Sequence, residues 1–159
     1  MATRTRAPRE AYAAIMGTFV AGLAGAGLLA RALGRSAEEQ SALDLVVLGA
    51  ATFKAARTVA RDDVTSFIRD PFVEGDARDG SREPVESGDL RQAIGELVTC
   101  SRCVGMWAAA GLTTTQVVAP RFGRLLTWTL AAAGINDFLQ AAFAALAHKS
   151  NELEQRAID

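Results

Sequence analysis

The chain reads as an all-α protein: an integral membrane four-helix bundle with a charged cytoplasmic loop. Three observations predict it. Half of the 159 residues are hydrophobic, although only 6% are aromatic. The charges are unevenly placed: 15 of the 35 Asp, Glu, Lys and Arg residues fall between Arg61 and Glu96. What remains divides into charge-poor stretches, each near the roughly 20 residues that an α-helical bilayer span needs. A single membrane domain over 1–159 follows from the length.

Four segments carry the spans, at about 11–33, 42–60, 100–119 and 124–147. The first is uncharged from Ala11 to Ala30. Its basic start (Arg4, Arg6, Arg9) and its Ala30-Arg31-Ala32 triplet invite comparison with a signal peptide. The apolar run is longer than the 7–15 residues of a typical signal core, however, and arginine inside a cleavage triplet is unusual. The second segment is interrupted by Asp44, Lys54 and Arg57, and reads either as a span or as a surface or buried helix. The third is uncharged from Cys103 to Ala119 and reaches span length if Thr99 to Arg102 enter the interface. The fourth carries one charge, Asp137, between Leu125 and Ala147.

Orientation follows from the Lys and Arg residues of the loops. With four spans the N-terminus, the central loop and the C-terminus share one side. That side holds eleven: Arg4, Arg6 and Arg9, then Arg57, Arg61, Arg69, Arg78, Arg82 and Arg91, then Lys149 and Arg156. The other side holds four, Arg31, Arg35, Arg121 and Arg124. The bias places both termini, the central loop and the cysteine pair in the cytoplasm. Within that loop, Val59 to Val73 continues the second segment with apolar residues near helical spacing. It suits a helix lying on the membrane surface, with Asp62 and Asp63 on its wet side. Residues 74–89 are rich in Gly, Ser, Asp, Glu and Arg and read as a flexible solvated loop. Leu90 to Val98 is helical again.

Small residues mark the packing faces. Ala13, Gly17, Ala21 and Gly25 recur every four residues, a spacing that lets helices approach closely in lipid, within one bundle or between two copies. Trp107 and Trp128 suit opposite interfaces.

Two polar features interrupt the apolar segments. Lys54 and Asp137 each lie about twelve residues into their segments, which start on the same side, so at about 1.5 Å per residue they reach similar depth. A lone charge there costs about 3 kcal/mol on insertion scales, and pairing lowers that cost. Arg57, three residues from Lys54, shares its face and is a second candidate partner. The pair fits a structural tie that fixes helix order, or a proton or ion relay in a small transporter.

Both cysteines lie in one C-x-x-C. Cys100 and Cys103 are three residues apart and share a helix face. A helix start near Thr99 puts the thiols at a positive dipole end beside Arg102, a setting that activates cysteine. Three readings stand. The pair packs a helix end; it is a redox dithiol; or it holds zinc, which takes four ligands. Two copies together supply four thiolates. Alternatively His148, with a carboxylate such as Glu96, completes a set within one chain.

Other chemistry is missing from the pattern. There is one histidine and no phosphate-binding glycine loop. The basic residues are scattered among acids at net charge −1, which argues against nucleic acid as a partner. The partners expected are the lipid bilayer and a second copy or other membrane subunits.

The run Glu96-Leu97-Val98-Thr99-Cys100-x-x-Cys103-x-x-x-Trp107 resembles the signature of a small bacterial membrane-protein family catalogued as a domain of unknown function. Ala51-Thr52-Phe53-Lys54-x-x-Arg57, with Asp62 beyond it, and Asp137-Phe138-Leu139 are similar to the same family. The resemblance covers roughly Leu45 to Ala147. This chain departs from it in having Lys54 where arginine is common and Ser101 where proline often follows the first cysteine. The resemblance implies a multi-pass inner-membrane protein, with some relatives named as sporulation proteins, and brings no activity, substrate or cofactor. The function expected is a non-enzymatic scaffold or assembly component. The rival is a membrane thiol-disulfide oxidoreductase using Cys100 and Cys103.

Overall fold

A computed structural model describes residues 7–35, 41–75 and 83–158. The described chain is mostly helical, with six α-helices and one two-stranded ribbon.

Local chemistry accounts for each helix boundary. Helix α1 (Arg9–Ala32) ends at Gly34, whose φ of 65° turns the chain left-handed. There the Arg35 amide donates to the Ala30 carbonyl at 2.9 Å, a glycine-terminated cap that uses two otherwise free helical carbonyls together with the Gly34–Arg31 bond. Helix α2 (Ala42–Arg61) starts with a reciprocal capping box: the Asp44 amide donates to Ser41 Oγ, and the Ser41 amide to Asp44 Oδ2, both at 3.1 Å. A 3₁₀ turn, the four-residue helix α3 (Ser66–Arg69) and a second 3₁₀ turn follow. Strands β1 (Val73–Glu74) and β2 (Glu83–Pro84) pair antiparallel within the region that includes the segment read as loop. Residues 76–82 of that segment lie outside the described residues, as do Arg4 and Arg6.

Asp89 begins α4 (Leu90–Thr99) by accepting from the Arg91 and Gln92 amides. One extended residue, Cys100, separates α4 from α5 (Ser101–Val118). Ala119 then reverses the chain, and Pro120 opens α6 (Pro120–Ile158), a position where its missing N–H costs nothing. The hairpin is tight. A Cβ at Gly123 would lie 2.5 Å from the Gln116 backbone.

Helix α2 sits at the centre of the bundle against both α5 and α6, while α1 lies outside, touching α5 and α4. Ala51, Leu112 and Ala131 form one core cluster, and Ala56, Ala60 and Val104 a second. Helices α2 and α6 meet closely because Gly134 has no side chain; a Cβ there would lie 3.0 Å from the Ala50 carbonyl oxygen. The interior is made of small residues, and the only fully buried side chain of any size among the described residues is Thr127. The large ones point outward: Leu28 is 69% exposed, Val46 68%, and Phe143 75%.

Two helices, α1 and the Pro120–Arg156 part of α6, are long and apolar enough to cross a membrane. The other two candidate spans form helices of 20 and 18 residues that fall short of that test. Asp44, Lys54 and Arg57 interrupt α2, and three threonines and Gln116 dilute α5. The Ala13–Gly25 stripe faces open space among the described residues: Ala13 and Ala21 are exposed, and nothing stands where a Cβ on Gly17 or Gly25 would be.

Candidate functional site

The charged residues of α2 and α6 meet in a cleft of about 380 Å³ at the C-terminal half of α2. Lys54 Nζ lies 2.9 Å from Asp137 Oδ2 and 3.8 Å from Asp62 Oδ2. One ammonium thus stands between two carboxylates carried by different elements. Arg57 lines the same cleft but is exposed, and makes no hydrogen bond or ion pair among the described residues. Gln140 and Ala141 line the α6 wall. Phe53 and Phe138 close one side, their ring centroids 5.0 Å apart at 30°.

Asp62 is held for this task by its own surroundings. It is the C-terminal cap of α2, and Thr58 Oγ1 donates to its Oδ2 at 2.8 Å. Arg69, only 2% exposed, reaches back from α3. It donates to the Asp62 carbonyl and to Thr65 Oγ1, each at 2.9 Å, and to the Val59 carbonyl. These bonds join the buried guanidinium to three acceptors of the α2–α3 turn. It pins the turn that carries Asp62.

The cysteines lie apart from this cleft, at the α4–α5 break. Both thiols are free. Cys100 caps α5, its sulfur accepting from the Cys103 amide at 3.3 Å, and Cys103 occupies the first turn. Next to them, Glu96 takes a 2.5 Å hydrogen bond from Tyr12 of α1 and a 3.1 Å bond from Gln92. His148 is not brought to the pair. It lies on the exposed C-terminal part of α6, because α6 runs on as one 39-residue helix instead of folding back toward α5. No group of three or more His, Cys, Asp and Glu side chains gathers as a metal site among the described residues.

Two sequence expectations change in three dimensions. The expected helix over Val59 to Val73 is broken: α2 ends at Arg61 and Asp62 caps it. The turn after Arg61 directs it to Lys54. Trp107 is not a free interface anchor either: its ring packs edge-on against Phe19 of α1 at 5.1 Å, and its Nε1 is buried without a hydrogen-bond partner among the described residues. The Thr58-x-x-x-Asp62 spacing was the available signal for the first, since residues four apart share a helix face. Nothing in the sequence marks Arg69 as buried.

A small-residue helical bundle, apolar outside, with a polar cleft between its two central helices is the class that fold and site define. The chain belongs to the family described as Protein of unknown function (DUF1360), which matches residues 47–143. It is similar to the Sporulation protein YjcA of Bacillus subtilis (strain 168): 33% identity over 105 residues, covering 62% of this chain and 88% of that protein. It is also similar to the UPF0713 protein YngL of the same organism, 26% identical over 103 residues, covering 64% of this chain and 79% of that one. No solved structure matches.

Proposed function

We propose that the chain is a multi-pass bacterial inner-membrane protein that works as a non-enzymatic scaffold or assembly component. All four long helices lie in the bilayer, with both termini and the central loop in the cytoplasm. One observation carries the membrane reading: the buried apolar residues are mostly alanines, with Leu112, Val104 and Val85 beside them, while many large Leu, Val and Phe side chains are exposed. In water that arrangement would expose most of the apolar driving force; in lipid, where tails are as apolar as leucine, close backbone approach holds helices together. The excess of Lys and Arg at the α1 N-terminus, the central loop and the C-terminus supports the orientation.

The polar contacts support a structural role. Tyr12–Glu96, Lys54–Asp137 and the Arg35–Val118 carbonyl bond each join helices more than 80 residues apart in sequence. The outward small-residue stripe of α1 is a surface on which a second copy or another membrane subunit packs. Cys100 and Cys103 act as a structural pair or, shared between two copies, as a zinc set.

The second reading, a membrane thiol-disulfide oxidoreductase, draws on the two free thiols one turn apart at a helix start. One measurement separates the two. Cells are treated with a membrane-impermeant maleimide before and after permeabilisation, with and without prior reduction. Labelling of Cys100 and Cys103 only after permeabilisation supports the scaffold. Labelling in intact cells only after reduction inverts the topology and replaces the scaffold by the oxidoreductase.

A further inference from the structure

The Lys54 cleft combines features that a purely structural ion pair does not require. A tie between α2 and α6 needs Lys54 and Asp137 alone. This cleft adds a second carboxylate, Asp62, 3.8 Å from the same ammonium, and a second cation, Arg57, that pairs with neither. It also has volume, about 380 Å³, within the range of small-ligand pockets. One wall is the Phe53–Phe138 pair, whose side chains are 41% and 59% exposed on the outer surface of the bundle. Charge inside and aromatic surface outside is the layout of a site for an amphiphile.

Position selects the amphiphile. Arg57 lies four residues before Arg61, the last residue of α2, which at 1.5 Å per residue is about 6 Å from the helix end. In the membrane reading, on which this inference rests, that is where acyl chains meet headgroups on the cytoplasmic side. Basic pockets between helices at this level hold anionic headgroups, so the charge of a pocket there decides which lipid it takes.

Charge selects the headgroup. The cleft carries two cations, Lys54 and Arg57, and two carboxylates, Asp62 and Asp137. A net anionic headgroup would leave one charge uncompensated at a site of reduced dielectric, where an unpaired charge is expensive. A zwitterion preserves the balance. Arg57 offers the planar fork of donors that suits phosphate, and the two carboxylates around Lys54 keep acceptor lone pairs for an ammonium.

We propose that the cleft between α2 and α6 binds a zwitterionic, amine-bearing phospholipid headgroup of the phosphoethanolamine type. Its phosphate lies on Arg57, its ammonium beside Asp62 and Asp137, and its glycerol and acyl chains along Phe53 and Phe138. A lipid held there bridges the two central helices from the outside and makes the bundle responsive to the composition of the cytoplasmic leaflet.

Native mass spectrometry of the purified full chain in mild detergent tests this. The probes are phosphatidylethanolamine, phosphatidylglycerol of the same acyl chains, and soluble glycerophosphoethanolamine. The expected result is one retained phosphatidylethanolamine per chain. Preference over phosphatidylglycerol should be about ten-fold, and R57Q should lose roughly ten- to hundred-fold, the worth of a charge-assisted hydrogen bond. R57K should retain part of the binding, and circular dichroism should show both variants as helical as the parent. Equal retention of the two lipids, a preference for phosphatidylglycerol, or no effect of R57Q in a folded variant would overturn the proposal. So would retention of the soluble compound without the lipid. The wild-type preference needs no variant, so it remains decisive if R57Q misfolds. Flotation with liposomes separates the two layers of the argument. A chain that floats but shows no preference loses the headgroup site alone, whereas a chain left in the aqueous phase loses the membrane reading as well.

Discussion

Removing Lys54 should destabilise the bundle more than removing its partner Asp137, and the geometry says by how much. At 2.9 Å the attraction between unit charges is about 1.4 kcal/mol in water and about 6 kcal/mol at an effective dielectric near 20. The side chains are 20% and 35% exposed, so the pair lies between those limits, and desolvation offsets much of the gain. The penalty after truncation is governed by what is left behind. Lys54→Met leaves two carboxylates facing each other with no ammonium between them. By the cost of an unpaired charge in a helix span, about 3 kcal/mol is expected. Asp137→Leu leaves Lys54 with Asp62, 3.8 Å away and positioned by Thr58, so the expected loss is only about 1 kcal/mol. The double variant should recover most of the Lys54→Met loss, because a well-packed apolar replacement of a buried pair is often neutral.

Thermal unfolding of the four proteins in one detergent measures this cycle. For a chain of this size about 1 kcal/mol corresponds to 2–4 °C, so Lys54→Met should fall by about 6–12 °C. The reasoning fails if the two single variants are equally destabilised, since Asp62 would then not be acting as a second partner. It fails equally if the two effects simply add, since contacting residues should couple.

The remaining predictions concern packing, the Arg69 clamp and pH. Gly134→Val forces α6 away from the Ala50 carbonyl and should cost about 1–3 kcal/mol by overpacking, whereas Gly22→Ala, with open space around it, should be neutral or stabilising by about 0.5 kcal/mol; parallel melts compare them. Arg69→Met removes the donor from three acceptors and should cost about 2–3 kcal/mol while loosening Asp62, which faster hydrogen exchange at Asp62 and Thr65 would register. Asp89, hydrogen-bonded first by Ser87 and then by the Arg91 and Gln92 amides, has its carboxyl held below the ordinary 3.8. A depressed folded value means its cap is fully present above the unfolded value and is lost as pH falls through the folded one. The start of α4 should therefore fray below about pH 4 in wild type, and Asp89→Asn should abolish that pH dependence, as followed by amide exchange of Arg91 to Ala93.

Sequence and structure part company at identifiable residues. Helical depth along two segments was enough to single out Lys54 and Asp137 from their neighbours, because rise per residue is a property of the backbone alone. Arg57 is an alternative partner on the same ground, and depth does not say that it pairs with nothing among the described residues. The approach of Asp62 to Lys54 is not legible in the sequence, because its direction depends on a 3₁₀ turn and on Arg69, seven residues later. His148 was joined to the cysteines because both belong to the same end of the bundle, yet a shared end says nothing of lateral separation when α6 continues straight.

What the sequence determined by itself is local. Ser41 and Asp44 start α2, Gly34 stops α1, Pro120 opens α6, and the sparse charges mark which stretches are apolar enough to lie in lipid. These are effects of nearest neighbours along the chain, and they act whatever the rest of the molecule does. Tertiary structure alone decided which small residues became contacts. Gly134 meets Ala50 while Gly17 and Gly25 meet nothing among the described residues, although spacing along the chain treats them alike. It also decided that one ammonium would stand between carboxylates from two elements, leaving Arg57 open beside an aromatic pair. The reason is that close approach depends on how two helix surfaces cross, and a one-dimensional pattern carries the composition of each surface but not the partner it will face.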